Sequence, residues 1–117
     1  MAEARVKTAL FVSMALRRGN AEGKYGAVLH RGDPDAGGLL VVLRGRADAE
    51  GREMLMVLSQ MRDAAGNPAW MRGTGPTPVD QAAADAYVER QRRFDPDLWV
   101  IEFDAADFHP PFEARLL

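Results

Sequence analysis

The chain has 117 residues, 47% of them hydrophobic, with 15 Lys/Arg against 17 Asp/Glu and a formal net charge of −2. That length suits a single domain, 1–117, able to bury roughly two thirds of its unfolded surface. With no cysteine, disulfides, thiolate metal sites and cysteine nucleophiles are excluded, and a pI near 5.6 argues against non-specific nucleic-acid binding.

The charge is unevenly divided, with eight Lys/Arg against four Asp/Glu in residues 1–46 and seven against thirteen in 47–117. A basic first half raises the question of an anion-binding face, although halves of a sequence interleave on folding. The first apolar run, Ala9 to Leu16, falls far short of the ~20 residues a membrane helix needs. No small-residue cleavage site follows it cleanly. These features lead us to expect a soluble, cytoplasmic protein with no membrane partner.

In chain order, Thr8 to Glu22 reads as a first helix, with Val12 and Leu16 four apart and Gly23 as its stop. A strand over Val6 to Val12 leading into a shorter helix is the competing reading; both bury Phe11. Tyr25 to His30 and Leu39 to Leu43 read as strands, joined by the turn-rich Arg31–Gly38 as a long hairpin loop. After the polar connection Gly45–Gly51, Glu53 to Arg62 is apolar on both alternating faces, and Asp63–Asn67 turns it toward Ala69–Arg72.

Thr77 as cap, Pro78 at the first helical position and Asp80 reaching back predict a second helix. Its stripe runs Val79, Ala83, Ala86, Tyr87, Arg90 and Phe94, with Glu89 and Arg93 as a surface pair. Asp95 before Pro96 ends it, and Leu98 to Phe103, large on both faces, is a mostly buried strand. The order α-β-β-β-β-α-β predicts an α+β fold, a mainly antiparallel sheet of four to five strands covered by two helices. Residues 105–117 form an extended C-terminal tail. Its His109-Pro110-Pro111-Phe112 lies over the sheet or reaches a neighbouring subunit.

Candidate chemistry is sparse. Gly19–Tyr25 resembles a phosphate loop only faintly, because its glycines are one residue too close and no Ser/Thr follows Lys24. Asp33-Pro34-Asp35 opens like a calcium loop, but Gly37 and Arg44 occupy the fifth and twelfth positions where ligands are required. A turn is the better reading. Asp104, Asp107 and His109 have a spacing that can gather around a divalent ion, but solvated residues after a last strand are the commoner case. Ser13 and Ser59 lie in no nucleophile elbow. The densest basic clusters are Arg90, Arg92, Arg93 and Arg17, Arg18. Arg90, on the expected stripe, needs a carboxylate such as Asp95, Asp97 or Glu102 unless it serves a ligand.

The runs Arg31–Gly37, Leu58–Asp63, Trp70–Arg72 and above all Tyr87–Val100 resemble those of a family of small alphaproteobacterial proteins, domain of unknown function 1491. The likeness spans about Val6 to Phe103, with departures expected at Ala47–Glu53 and after Asp104. The resemblance implies a stand-alone small cytoplasmic protein and brings no catalytic residues to carry over. Two functional readings follow. One is a non-enzymatic interaction module, a homodimer or a binder of another protein, using an open sheet edge or the Pro110-Pro111-Phe112 tail. The other is a binder of small anionic molecules or an acyltransferase-like enzyme, with Arg17, Arg18 and Arg31 holding the ligand and Arg90 as a further candidate. That second reading lacks the fold's short phosphate loop. Neither calls for a cofactor or a metal.

Overall fold

A computed structural model describes residues 7–117. Helix α1 (Thr8–Glu22), strands β1 (Gly26–His30), β2 (Leu39–Arg44), β3 (Leu55–Arg62) and β4 (Pro68–Arg72), helix α2 (Gln81–Phe94) and strand β5 (Trp99–Asp104) follow in the expected order. They form one five-stranded sheet, β1-β5-β2-β3-β4, in which β2 and β5 run parallel and every other pair antiparallel.

The placing of β5 corrects one expectation: β1 and β2 are not a hairpin, because β5 lies between them. The cause is apolar content. All of β2 except Arg44 is buried, as are Trp99, Val100, Ile101 and Phe103 of β5, and strands apolar on both faces belong at the centre of a sheet, often as a parallel pair. Gly26 and Ala27 give β1 too little side chain to compete there, so it takes the edge.

Each face of the sheet carries its own core. Leu39, Val41, Leu43, Leu58, Trp70, Trp99, Ile101 and Phe103 line the face under α1, and Leu40, Val42, Leu55, Val57 and Val100 line the face under α2. Helix α1 begins and ends as expected. Its first turn is held by the 31–38 loop, where Ala9 N–H donates to Pro34 O at 2.9 Å and Thr8 Oγ1 to Gly37 O at 2.6 Å. It stops at Gly23, whose φ of 76° is left-handed. Gly19 lets the helix approach β5, since a Cβ there would lie 2.9 Å from the Phe103 ring. Phe11 is half-buried against this core.

Helix α2 starts later than expected. Val79 is extended, exchanging backbone hydrogen bonds of 2.7 and 2.8 Å with Leu55, so Thr77 is no cap. Asp80 caps instead, its side chain accepting from Ala83 N–H. The buried stripe is also rotated: Ala84 is buried and Tyr87, Val88 and Gln91 half-buried, while Ala83, Ala86 and Arg90 are exposed and Phe94 is 81% exposed. Alanines at 82, 83, 84 and 86 satisfy several stripes equally, and the larger Val88 decides between them. The Glu89–Arg93 pair forms at 3.7 Å on the exposed side.

The tail folds back over the sheet. Phe112 is buried beside Phe11, Trp70 and Phe103, with ring centroids 5.1, 5.3 and 6.4 Å away. Beyond it Trp70 N–H donates to Arg115 O and Leu117 N–H to Trp70 O, so the chain end pairs along the outer side of β4. Replacing a buried Phe by Ala costs about 3–5 kcal/mol. Phe112→Ala is therefore expected to lower stability by about 3 kcal/mol in chemical denaturation, against a negligible change for a tail that reaches away from its own sheet.

Candidate functional site

The four arginines singled out by sequence do not converge. Arg17 and Arg18 are exposed on α1, Arg18 pairing at 3.7 Å with Glu22. Arg31 stacks on the Trp99 ring, 5.1 Å from its centroid, near the opposite end of α1. Arg90 lies on α2, across the sheet from α1, and is exposed with no ion-pair partner among the described residues. Of the carboxylates expected for it, neither Asp95 nor Asp97 pairs with it and Glu102 is taken by another arginine.

That arginine is Arg44, at the end of β2. Its Nε donates to Glu102 at 2.7 Å, and its Nη1 to Glu53 at 2.7 Å and to Gln81, the first residue of α2, at 2.8 Å. One guanidinium thus ties β2, β5, the approach to β3 and the start of α2 together. The hydrogen bond to Glu102 holds it more firmly protonated. Sequence reading passed over this pair. The signal was present: Arg44 and Glu102 are charges within strands that are mostly apolar, where a half-buried ion must be paired.

The other sequence motifs resolve as structure. Lys24, from the loop that resembles a phosphate site, donates to Asp107 Oδ2 and His109 O, both at 3.1 Å. Its ammonium sits against the carboxylate that a metal would need, and no metal-binding group of three carboxylate or imidazole residues occurs among the described residues. The Asp33 carboxylate accepts from Asp35 and Ala36 N–H, which is the turn that Asp-Pro-Asp suggested.

An open depression of about 510 Å³ lies between the end of α1 and the ends of β2 and β5, and its Lys24, Arg44 and Asp107 are all engaged in these pairs. A second groove, of about 290 Å³, runs between α2 and β1. Leu29, Val42, Ala84 and Val88 give it an apolar floor, and Asp85, Glu89, Arg92 and Glu102 stand along its rim.

This second groove opens onto the free edge of β1. Tyr25 C=O accepts from Asp104 N–H at 2.9 Å, so by the alternation of an antiparallel ladder Gly26 and Val28 direct their amide and carbonyl groups away from β5. A bulge follows Val28, where the register with β5 slips by one residue, and it turns both Leu29 and His30 toward α2. Leu29 enters the groove, and His30 Nδ1 lies 2.9 Å from Arg92 Nη2. Tyr25 and Leu29 are 62% and 54% exposed.

Fold and site together define a small α+β protein whose half-buried charges brace strand ends and whose β1 edge carries two exposed large hydrophobic side chains, Tyr25 and Leu29. The chain belongs to the DUF1491 family, proteins of unknown function, whose model matches residues 6–113. The match runs past Asp104, where departure had been expected, in keeping with a tail that packs into the core. A DUF1491 family protein from Caulobacter crescentus is 27% identical; its crystal structure superposes with a TM-score of 0.79, covering 97% of this chain and all of that one. An NMR structure of a DUF1491 family protein from the same organism gives 0.78 at 27% identity, covering 98% and 99%. The solution structure of an A. tumefaciens protein gives 0.70 at 29% identity, covering 95% of each chain. No match to a curated protein was found. No helix among the described residues is long and apolar enough to cross a membrane.

Two measurements check the bracing pairs. Glu102→Ala leaves the Arg44 guanidinium, 23% exposed, without its main acceptor and is expected to cost about 2 kcal/mol, while Glu102→Gln, which keeps an acceptor, costs less. The second concerns acid. Partial burial pushes the Asp107 carboxyl up, but donation from His109 N–H and Lys24 Nζ outweighs it, leaving the group below its usual range. A carboxyl lowered on folding contributes stability above its unfolded value of about 3.9, lost as pH falls through the folded value below that. Asp107→Asn is therefore expected to flatten the acid limb of stability below pH ~4, with an unchanged limb counting against the pairing.

Proposed function

We propose that the protein is a non-enzymatic, cytoplasmic interaction module that joins a second copy of itself through β1, forming a homodimer. The observation that carries this reading is the β1 edge. Its outward backbone groups at Gly26 and Val28 have no partner strand among the described residues, and the apolar side chains of Tyr25 and Leu29 stand exposed beside them. Soluble proteins protect such edges with lysines, prolines or covering segments. Here β4 receives a covering segment, the chain end at Leu116, whereas β1 carries neither Lys nor Pro.

The Pro110-Pro111-Phe112 tail is no longer a candidate contact, since Pro111 and Phe112 are buried. The anionic-ligand reading loses support from the dispersal of Arg17, Arg18, Arg31 and Arg90, and no observation favours an acyl-transfer reaction over pairing at the edge.

Light scattering over a wide dilution series tests the proposal. The wild-type chain is expected to pass from monomer to dimer with rising concentration. Ala27→Lys, at an exposed position of β1, places like charges on facing strands and should weaken association about tenfold or more, roughly 1.4 kcal/mol. A strict monomer, or a dimer indifferent to this substitution, overturns the edge reading.

A further inference from the structure

The backbone parity of β1 and the order of its side chains together restrict how a second copy can pair. In an antiparallel ladder, residues whose amide and carbonyl groups point at the partner form the hydrogen-bonded pairs, and on β1 these are Gly26 and Val28. Three registers satisfy that parity, centred on Gly26, Ala27 or Val28. Centring on Val28 requires His30 to continue the ladder, and the bulge after Val28 has shifted it out of phase. Centring on Gly26 sets Val28 against Lys24, whose side chain is already committed to Asp107 and His109. Centring on Ala27 forms two hydrogen-bonded pairs, Gly26 with Val28 in each direction, and uses nothing that the fold has spent elsewhere.

The side chains favour the same register. Tyr25, Ala27 and Leu29 alternate onto the α2 face, the first two opposite Asp104 and Glu102 of β5, and the bulge adds His30 to that face without displacing Leu29. The α2 face of the edge therefore reads Tyr, Ala, Leu, which becomes Leu, Ala, Tyr in an antiparallel copy. Small alanines meet on the axis, and the two large exposed side chains pair crosswise as an aromatic with an aliphatic residue. The strand is self-complementary, as an isologous two-fold interface requires.

We infer that the occupant of the groove between α2 and β1 is a second copy of this chain, paired with Ala27 on the two-fold axis. The second copy's Tyr25 then lies over Leu29 at the groove mouth, where the rim carboxylates of Asp85 and Glu89 offer acceptors for its hydroxyl. The groove of each copy is completed by an aromatic ring from the other. This inference rests on the edge reading and adds its register and the residue that fills the groove.

The absence of native cysteine makes the register directly testable. Residues facing each other in a non-hydrogen-bonded pair have Cα atoms about 4.5 Å apart, within the range a disulfide spans. Ala27→Cys, at an exposed position, is expected to form a covalent dimer on mild oxidation, seen on a non-reducing gel, whereas Arg46→Cys at an exposed position outside the strand is not. Tyr25→Ser should weaken the wild-type dimer about tenfold while Tyr25→Phe retains it. If the dimer forms and Ala27→Lys disrupts it, but Ala27→Cys cross-links no better than Arg46→Cys, the register is overturned and the edge reading stands. If Tyr25→Ser leaves association unchanged, the groove is not filled by that ring and the inference fails. A chain that remains monomeric at every concentration overturns both.

Discussion

The pairing of β2 with β5 is the constraint from which the rest of the architecture follows. Both strands bury apolar side chains on both faces, so each must be flanked by strands and covered above and below. Two parallel neighbours cannot be joined by a tight turn, and the connection here runs through β3, β4 and α2 before β5 enters beside β2 in register from Leu39 with Trp99 to Arg44 with Asp104. The face under α2 is covered by that crossover. The other face needs both α1 and the chain end, which is why Phe112 is part of the core.

The same pair explains where the charges went. The charges of the central pair lie toward one end, where Asp104 closes β5 and Arg44, closing β2, reaches Glu102. Their mutual hydrogen bond also engages Glu53 and Gln81, so the two ions are satisfied by elements that the sheet had to bring together anyway. An ion pair of this kind specifies geometry more than it adds stability. It fixes where α2 begins relative to the strands beneath it, and so sets the side of α2 on which the groove over β1 opens.

Much of the fold was legible because its punctuation is local. Gly23 ends α1, Asp95-Pro96 ends α2 and the Asp63–Asn67 turn joins β3 to β4, each through backbone chemistry that needs no distant partner. The errors arose where a distant partner decided the outcome. Val79 is extended because Leu55 pairs with it, a contact across 24 residues, and the alanine-rich start of α2 gave no phase until Val88 met the sheet. The β1–β2 hairpin failed for the same reason, since only β5 could displace it. The charged constellation was hidden because Arg44 and Glu102 lie 58 residues apart, whereas Arg90 drew attention by standing on a stripe that the tertiary structure rotated away. The edge itself was anticipated in kind, but not which edge, because the covering of β4 depends on a tail whose docking site is built from three separate elements.

The position of β5 also sets an order of events during synthesis. The hairpins β2-β3 and β3-β4 join neighbours in sequence and can close early, yet β1 has no native neighbour until β5 has been made. Until then the edge of β2 that belongs to β5 stands open, and β1 is the nearest strand able to occupy it. The nascent chain is thus exposed to the very hairpin that its sequence suggests. Any such pairing must open before β5 can insert, and a chain cut short before Trp99 leaves that edge of β2 without its partner strand.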